Sequence, residues 1–166
     1  MTDQVSVKGL ERLSSLEGGA WGGFLRAHGT LVRRLDDDLR TTHGLTLSSY
    51  EVLLFLAWSP DRRMRMGDLA GRVLITLSGV TRLIGRLERE GLVRRERSPE
   101  DGRGSYAVLT EAGLLRLREA HPTHLAGVRR LFLGHFNDEE LKTLAGFWDR
   151  VSPRVPREGT QGEACP

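Results

Sequence analysis

The sequence predicts a mainly α-helical chain carrying one small β-hairpin. Apolar residues recur at three- and four-residue steps through most of its length. Capping residues and glycines stand at the ends of those runs. The clearest alternating pattern lies between Leu92 and Thr110 and is split by the loop SPEDGRG.

Taken in order, residues 1–17 are expected to be a flexible N-terminal segment, without the apolar core of about 7 residues that marks a secretory signal. Residues 18–44 hold the longest helical stripe: Trp21, Phe24, Leu25, His28, Leu31, Val32, Leu35 and Leu39, closed by Gly44. Ser48 and Glu51 have capping-box spacing before VLLFLAW, and Ser59-Pro60-Asp61 reads as a turn. MRMGDLAGRVL gives a strand residue or two and then a short helix from about Gly67 to Val73. Thr76 caps LSGVTRLIGRLERE, which ends at Gly91. LVRRE and SYAVLT are the hairpin strands. Thr110 opens a further helix, with Pro122 as a kink or break, and Asn137 with Glu140 caps a terminal one. The tail 152–166 has three prolines and no periodicity, so it is expected to be disordered. Two short helices joined by a tight turn and followed at once by a hairpin make a winged helix-turn-helix over residues 45–109. Residues 18–44 and 110–151 then flank it as helices too apolar for water, which points to dimerisation.

A chain of 166 residues suits one domain with helical appendages. Its single cysteine, Cys165, excludes an intrachain disulfide and a Cys-based metal cluster and fits a reducing cytoplasm. No run approaches the roughly 20 apolar residues of a membrane helix. The formal net charge is +3, and of 25 Lys and Arg residues only Lys8 and Lys142 are lysines. Arginine is the better fork for phosphates and guanine edges.

Two constellations carry the functional expectation. If Val80, Leu83, Ile84 and Leu87 face a core, then Ser78, Thr81, Arg82, Gly85 and Arg86 lie wholly or partly outside. Small residues at the front of such a helix let it enter a major groove, and arginine can bond guanine O6 and N7 together. The same residues also fit an ordinary solvated face. In the hairpin, Arg94, Arg95, Arg97 and Arg103 alternate with Glu96, Glu100 and Asp101. Arg103 between two glycines suits a tip that reaches a phosphate backbone or minor groove, with Asp101 shaping it; a charged soluble turn remains open. A nucleotide-binding loop is excluded, because neither GxxxxGK[ST] nor GxGxxG is present and a strand follows. His121, His124 and His135 lack the partners of a metal site and are expected to be polar surface residues, while His28 is expected in the core. The run Asp36 to Asp38 reads as a solvated face. No catalytic set and no cofactor motif is found, so the chain is not expected to be an enzyme.

The blocks DLAGRV, SGVTRLIGRLEREGLVRR and SPEDGRGSYAVLTEAG follow one another in residues 45–113, and together they resemble the multiple-antibiotic-resistance regulator (MarR) family of transcription factors. The resemblance implies a homodimeric DNA-binding regulator, usually a repressor, that binds a pseudo-palindrome in double-stranded DNA and responds to a small aromatic or phenolic effector. It implies recognition-helix roles for Ser78, Thr81, Arg82 and Arg86, and wing roles for Asp101 and Arg103, with Arg94, Arg95 and Arg97 beside them. Gly102 and Gly104 depart from the family's usual wing tip. The family's effector pocket lies between its dimer helices and DNA-binding lobe, near the regions of Trp21, His28, His43 and Tyr50, for which core packing is the competing role. The oxidant-sensing cysteine that one subgroup carries in its first helix is missing. A winged helix serving as a protein-interaction module, without sequence-specific DNA binding, is the alternative.

Overall fold

The structure, a computed structural model, describes residues 11–73, 75–97 and 104–151. The first helix, α1, spans Ser15–His43. It begins earlier than the apolar stripe suggested, because Ser14 and Glu17 form a capping box: the Glu17 N–H donates to Ser14 Oγ at 3.2 Å and the Ser14 N–H to the Glu17 carboxylate at 2.8 Å. Gly44, at φ 64°, closes the helix, its N–H donating to the Arg40 carbonyl at 2.9 Å.

Helix α2 (Leu47–Ala57) is capped by Thr46, whose hydroxyl accepts the Ser49 N–H at 3.0 Å. The expected Ser48/Glu51 box does not form. Leu45 and Leu47 are both buried, so the turn falls between them and Ser48 lies inside the helix. After the tight turn Pro60–Arg62, where Asp61 and Arg62 take φ values of 53° and 54°, strand β1 (Arg63–Arg65) leads into α3 (Met66–Val73). Helix α4 (Leu77–Arg89) follows, then β2 (Val93–Arg97) and β3 (Ser105–Leu109). The sheet order is β1-β3-β2, wholly antiparallel, with Arg65 and Glu96 both opposite Tyr106. Val93, Met64, Ala107 and Leu109 are buried in the core that α2, α3 and α4 complete.

Leu53, Leu56, Leu69, Val80, Ile84 and Leu87 form the centre of that core. Fully burying such a side chain contributes about 1.5–3 kcal/mol. Helix α5 (Glu111–Leu131) is capped by Thr110 and continues through Pro122, so that of the expected kink or break there is no break. Pro122 has no N–H to donate to the Arg118 carbonyl, and both residues are exposed. Helix α6 (Asp138–Val151) begins at the expected Asn137/Glu140 box and buries no residue of its own.

The ends of α1 and α6 leave a large apolar surface open. Trp21, Phe24, Leu25 and Val32 on α1, with Phe147, Trp148 and Val151 on α6, are all exposed. Phe24 and Trp148 meet with ring centroids 5.4 Å apart. His28, expected in the core, is exposed on this face beside Phe24, because only Leu39 of the α1 stripe is fully covered by the rest of the chain. The expected tail 152–166 lies outside the described residues.

Candidate nucleic-acid interface

Helix α4 is oriented by its two faces. Val80, Leu83, Ile84 and Leu87 are buried, and Thr76 caps the N-terminus by accepting the Gly79 N–H at 3.1 Å. With that side fixed, Ser78, Thr81 and Arg82 project to solvent. The Thr81 hydroxyl folds back onto the Leu77 carbonyl at 2.9 Å, which leaves a small profile at the front of the helix. Arg82 makes no ion pair or hydrogen bond with any described residue.

Strand β2 is strapped across this helix. The Arg95 N–H donates to the Glu88 carboxylate at 3.1 Å, its Nε lies 3.4 Å from Glu88, and its Nη2 donates to the Thr81 carbonyl at 2.8 Å. The crossing is at Gly85, where a Cβ would stand 3.3 Å from Arg95 Nη2. Arg95 is therefore committed to holding β2 against α4. Arg94 pairs with Glu96 on its own strand, and Arg97 is exposed. Asp101 and Arg103 lie outside the described residues.

Arg86 lies only partly on the outer face, its side chain 41% exposed. Its guanidinium turns toward α2 and donates to Ser49 Oγ at 2.7 Å and Thr46 Oγ1 at 3.2 Å. Sequence spacing set Arg86 at the edge of the polar face; the two hydroxyls at the start of α2 draw it inward.

An open cleft of about 420 Å³ lies between the first turn of α3, α4 and the sheet, with Arg65, Asp68, Thr81 and Arg95 on its walls. Arg65 was not among the expected contacts. Its Nε donates to the Tyr106 hydroxyl at 3.1 Å, and its guanidinium lies 5.4 Å from the Tyr106 ring centroid, as Arg63 lies 5.0 Å from it. The alternation Arg63-Met64-Arg65-Met66 was the available signal: Met64 and Met66 are buried while the arginines face out.

A second group of polar side chains sits where α2 meets α5. The Tyr50 hydroxyl and His121 Nδ1 are 2.7 Å apart, the His124 ring lies 4.4 Å from that of Tyr50, and His43 Nε2 is 2.8 Å from Thr123 Oγ1. His121 and His124 are thus half-buried rather than surface residues. The unbroken helix through Pro122 keeps both on one inward face. Burial holds the His124 imidazole below its ordinary pKa and His121 adds to this, while burial raises Tyr50 and Glu51. His135 is exposed. Among the described residues no group of three His, Cys, Asp or Glu is placed to hold a metal ion, and no helix is long and apolar enough to cross a membrane. The acidic run is also employed: Asp36 accepts from Leu47 and Arg40, and Asp38 pairs with Arg130 at 2.7 Å.

Residues 43–104 match the family model described as MarR family. The HTH-type transcriptional regulator YkoM of Bacillus subtilis (strain 168) is 34% identical over 99 residues, covering 59% of this chain and 62% of YkoM, so the match spans less than two thirds of that relative. AbsC, a MarR family transcriptional regulator from Streptomyces coelicolor, superposes with TM-score 0.80 at 38% identity, covering 86% of this chain and 96% of AbsC. Sco3205, a MarR family transcriptional regulator from Streptomyces coelicolor whose structure is in complex with DNA, superposes with TM-score 0.82 at 32% identity, covering 93% and 97%. All three relatives are described as transcriptional regulators.

Proposed function

The chain belongs to the MarR family of DNA-binding transcriptional regulators, and we propose that it acts as a cytoplasmic homodimeric repressor on a pseudo-palindromic operator, released by a small aromatic or phenolic effector. The observation that carries the reading is the outer face of α4, where Ser78, Thr81 and the unpaired Arg82 project beside a wing strand strapped to the same helix. Residues 45–109 are the DNA-binding unit, and 18–44 with 110–151 supply the dimer contacts. A second copy of the chain is the natural cover for the exposed Trp21, Phe24, Trp148 and Val151, whose apolar area is too contiguous for a lone protomer. Two-fold symmetry then sets two α4 helices about one helical turn of DNA apart, roughly 10 bp.

Within each half-site Arg82 reads a base edge, Ser78 and Thr81 fit against bases or phosphates, and Arg97 and Arg103 contact the backbone. Arg94 and Arg95 act mainly by shaping the wing. Binding of Arg82→Ala to an operator duplex and to single-base variants of it tests this assignment. A loss of about 1–3 kcal/mol together with relaxed preference at one position is expected. Equal loss on specific and random duplexes removes the base-reading role.

A further inference from the structure

Arg86 remains without a DNA role, and its surroundings supply another. Its two acceptors, Ser49 Oγ and Thr46 Oγ1, are themselves 2.7 Å apart, and Ser49 is only 2% exposed. Both belong to the start of α2, where the first N–H groups of a helix have no partner within it. Thr46 Oγ1 takes one of these, from Ser49. A second, from Leu47, donates at 2.7 Å to Asp36 Oδ1, and Asp36 is on α1, where Arg40 also holds it. Burial alone would raise the Asp36 carboxyl, but the hydrogen bonds from Arg40 and Leu47 outweigh it and leave its pKa lowered. The carboxylate is therefore charged throughout the physiological range. The first turn of α2 is thus held by both an acid of α1 and a guanidinium of α4, and the Arg86 charge also helps to lower Asp36.

The apolar face of α4 decides which residues turn outward, and a directional contact sets the finer angle of the helix. Hydrophobic packing of Val80, Leu83, Ile84 and Leu87 is non-directional, whereas a hydrogen bond has a preferred line. A planar guanidinium donating to two hydroxyls supplies such a directional contact, and Glu90 lies 4.0 Å from Arg86 Nε. We propose that Arg86 is a positioning residue: through Thr46, Ser49 and Asp36 it sets the angle of α4 against α1, and so against the dimer partner. The proposal rests on the reading of α4 as the recognition helix and α1 as a dimer element. In a two-fold dimer, an error in that angle appears at both half-sites and is felt as lost discrimination, not as lost charge contacts.

The test compares wild type, Arg86→Met, Ser49→Ala and the double variant on a duplex from the gene's own upstream region and on a scrambled duplex, over a range of salt, with concentrations corrected for folded protein. Arg86→Met should weaken the upstream duplex about tenfold while leaving the scrambled duplex and the salt slope unchanged. The double variant should lose no more than Arg86→Met alone, since both residues act through one contact. A slope reduced by about one unit with equal loss on both duplexes makes Arg86 a phosphate contact and overturns the proposal. So does wild-type behaviour, or a loss that only follows the unfolded fraction. Failure of wild type to discriminate the duplexes sinks the regulator reading instead. The clamp is then still read without DNA: Arg86→Met must shift backbone amide resonances around both Asp36 and Thr81, and silence at Asp36 overturns it.

Discussion

Gly113→Ala tests the joint between the wing and α5. Gly113 is in the first turn of α5, and its N–H donates to Thr110 Oγ1 at 3.0 Å. A Cβ there would lie 2.1 Å from the Leu92 carbonyl oxygen and 2.8 Å from Leu109 Cδ1, far inside ordinary contact. The Leu92 carbonyl cannot yield freely, because the Thr110 N–H donates to it at 3.2 Å and the Thr110 hydroxyl is shared between it, at 3.0 Å, and the Gly91 carbonyl, at 2.7 Å. Alanine must push α5 away from the hairpin and break or stretch those bonds. Overpacking costs about 1–3 kcal/mol and each weakened hydrogen bond about 0.5–1.5, against about 1 kcal/mol gained from helix propensity. The net is a loss of about 1–5 kcal/mol, which lowers Tm by roughly 2–4 °C per kcal/mol. Urea unfolding at fixed protein concentration measures it. An alanine variant as stable as wild type, or more stable, shows that propensity decides and refutes the close-approach argument.

The histidine pair gives a pH signature. The unfolded chain protonates His124 near its ordinary value of 6.5, whereas the folded chain resists until lower pH, so stability is present above 6.5 and is lost as pH falls through that value toward the folded one. Glu51, raised by burial, acts with the opposite sign. The difference between wild type and His124→Phe is therefore the useful quantity: it should be flat above about pH 7 and shift in favour of phenylalanine below about pH 6. A constant difference contradicts the assignment. For the dimer, Phe24→Asp and Trp148→Asp each place a charge on the exposed apolar face. Sedimentation velocity should show wild type at twice the 18.5 kDa of the chain and both variants moved toward monomer; unchanged sedimentation would remove this surface from the interface.

Much of the winged-helix core was legible because its signals are local and agree with one another. The period of α4 was enough to name Val80, Leu83, Ile84 and Leu87 as buried, and Thr76, Thr110 and the Asn137/Glu140 box mark real helix starts. What escaped depends on distant partners. Arg86 looked like an outward arginine until the hydroxyls of Thr46 and Ser49, some 40 residues away in sequence, gave it an inward destination. His121 and His124 were expected at the surface because they lack the partners of a metal site, and only Tyr50 shows why they turn inward. Arg65 was marked only by the short alternation Arg63-Met64-Arg65-Met66, and its place follows from pairing with Tyr106. His28 erred the other way. Its apolar stripe was read as core, although one protomer does not cover it.

The central claim is that the outer face of α4 and its wing read a particular duplex. Titration of wild-type protein with the gene's own upstream duplex and a scrambled duplex, at about 50 and 200 mM salt, tests it most directly. The account predicts tighter binding to the upstream duplex at both concentrations and a steep fall between them. Equal affinity for the two duplexes, or no binding at the lower salt, would contradict it.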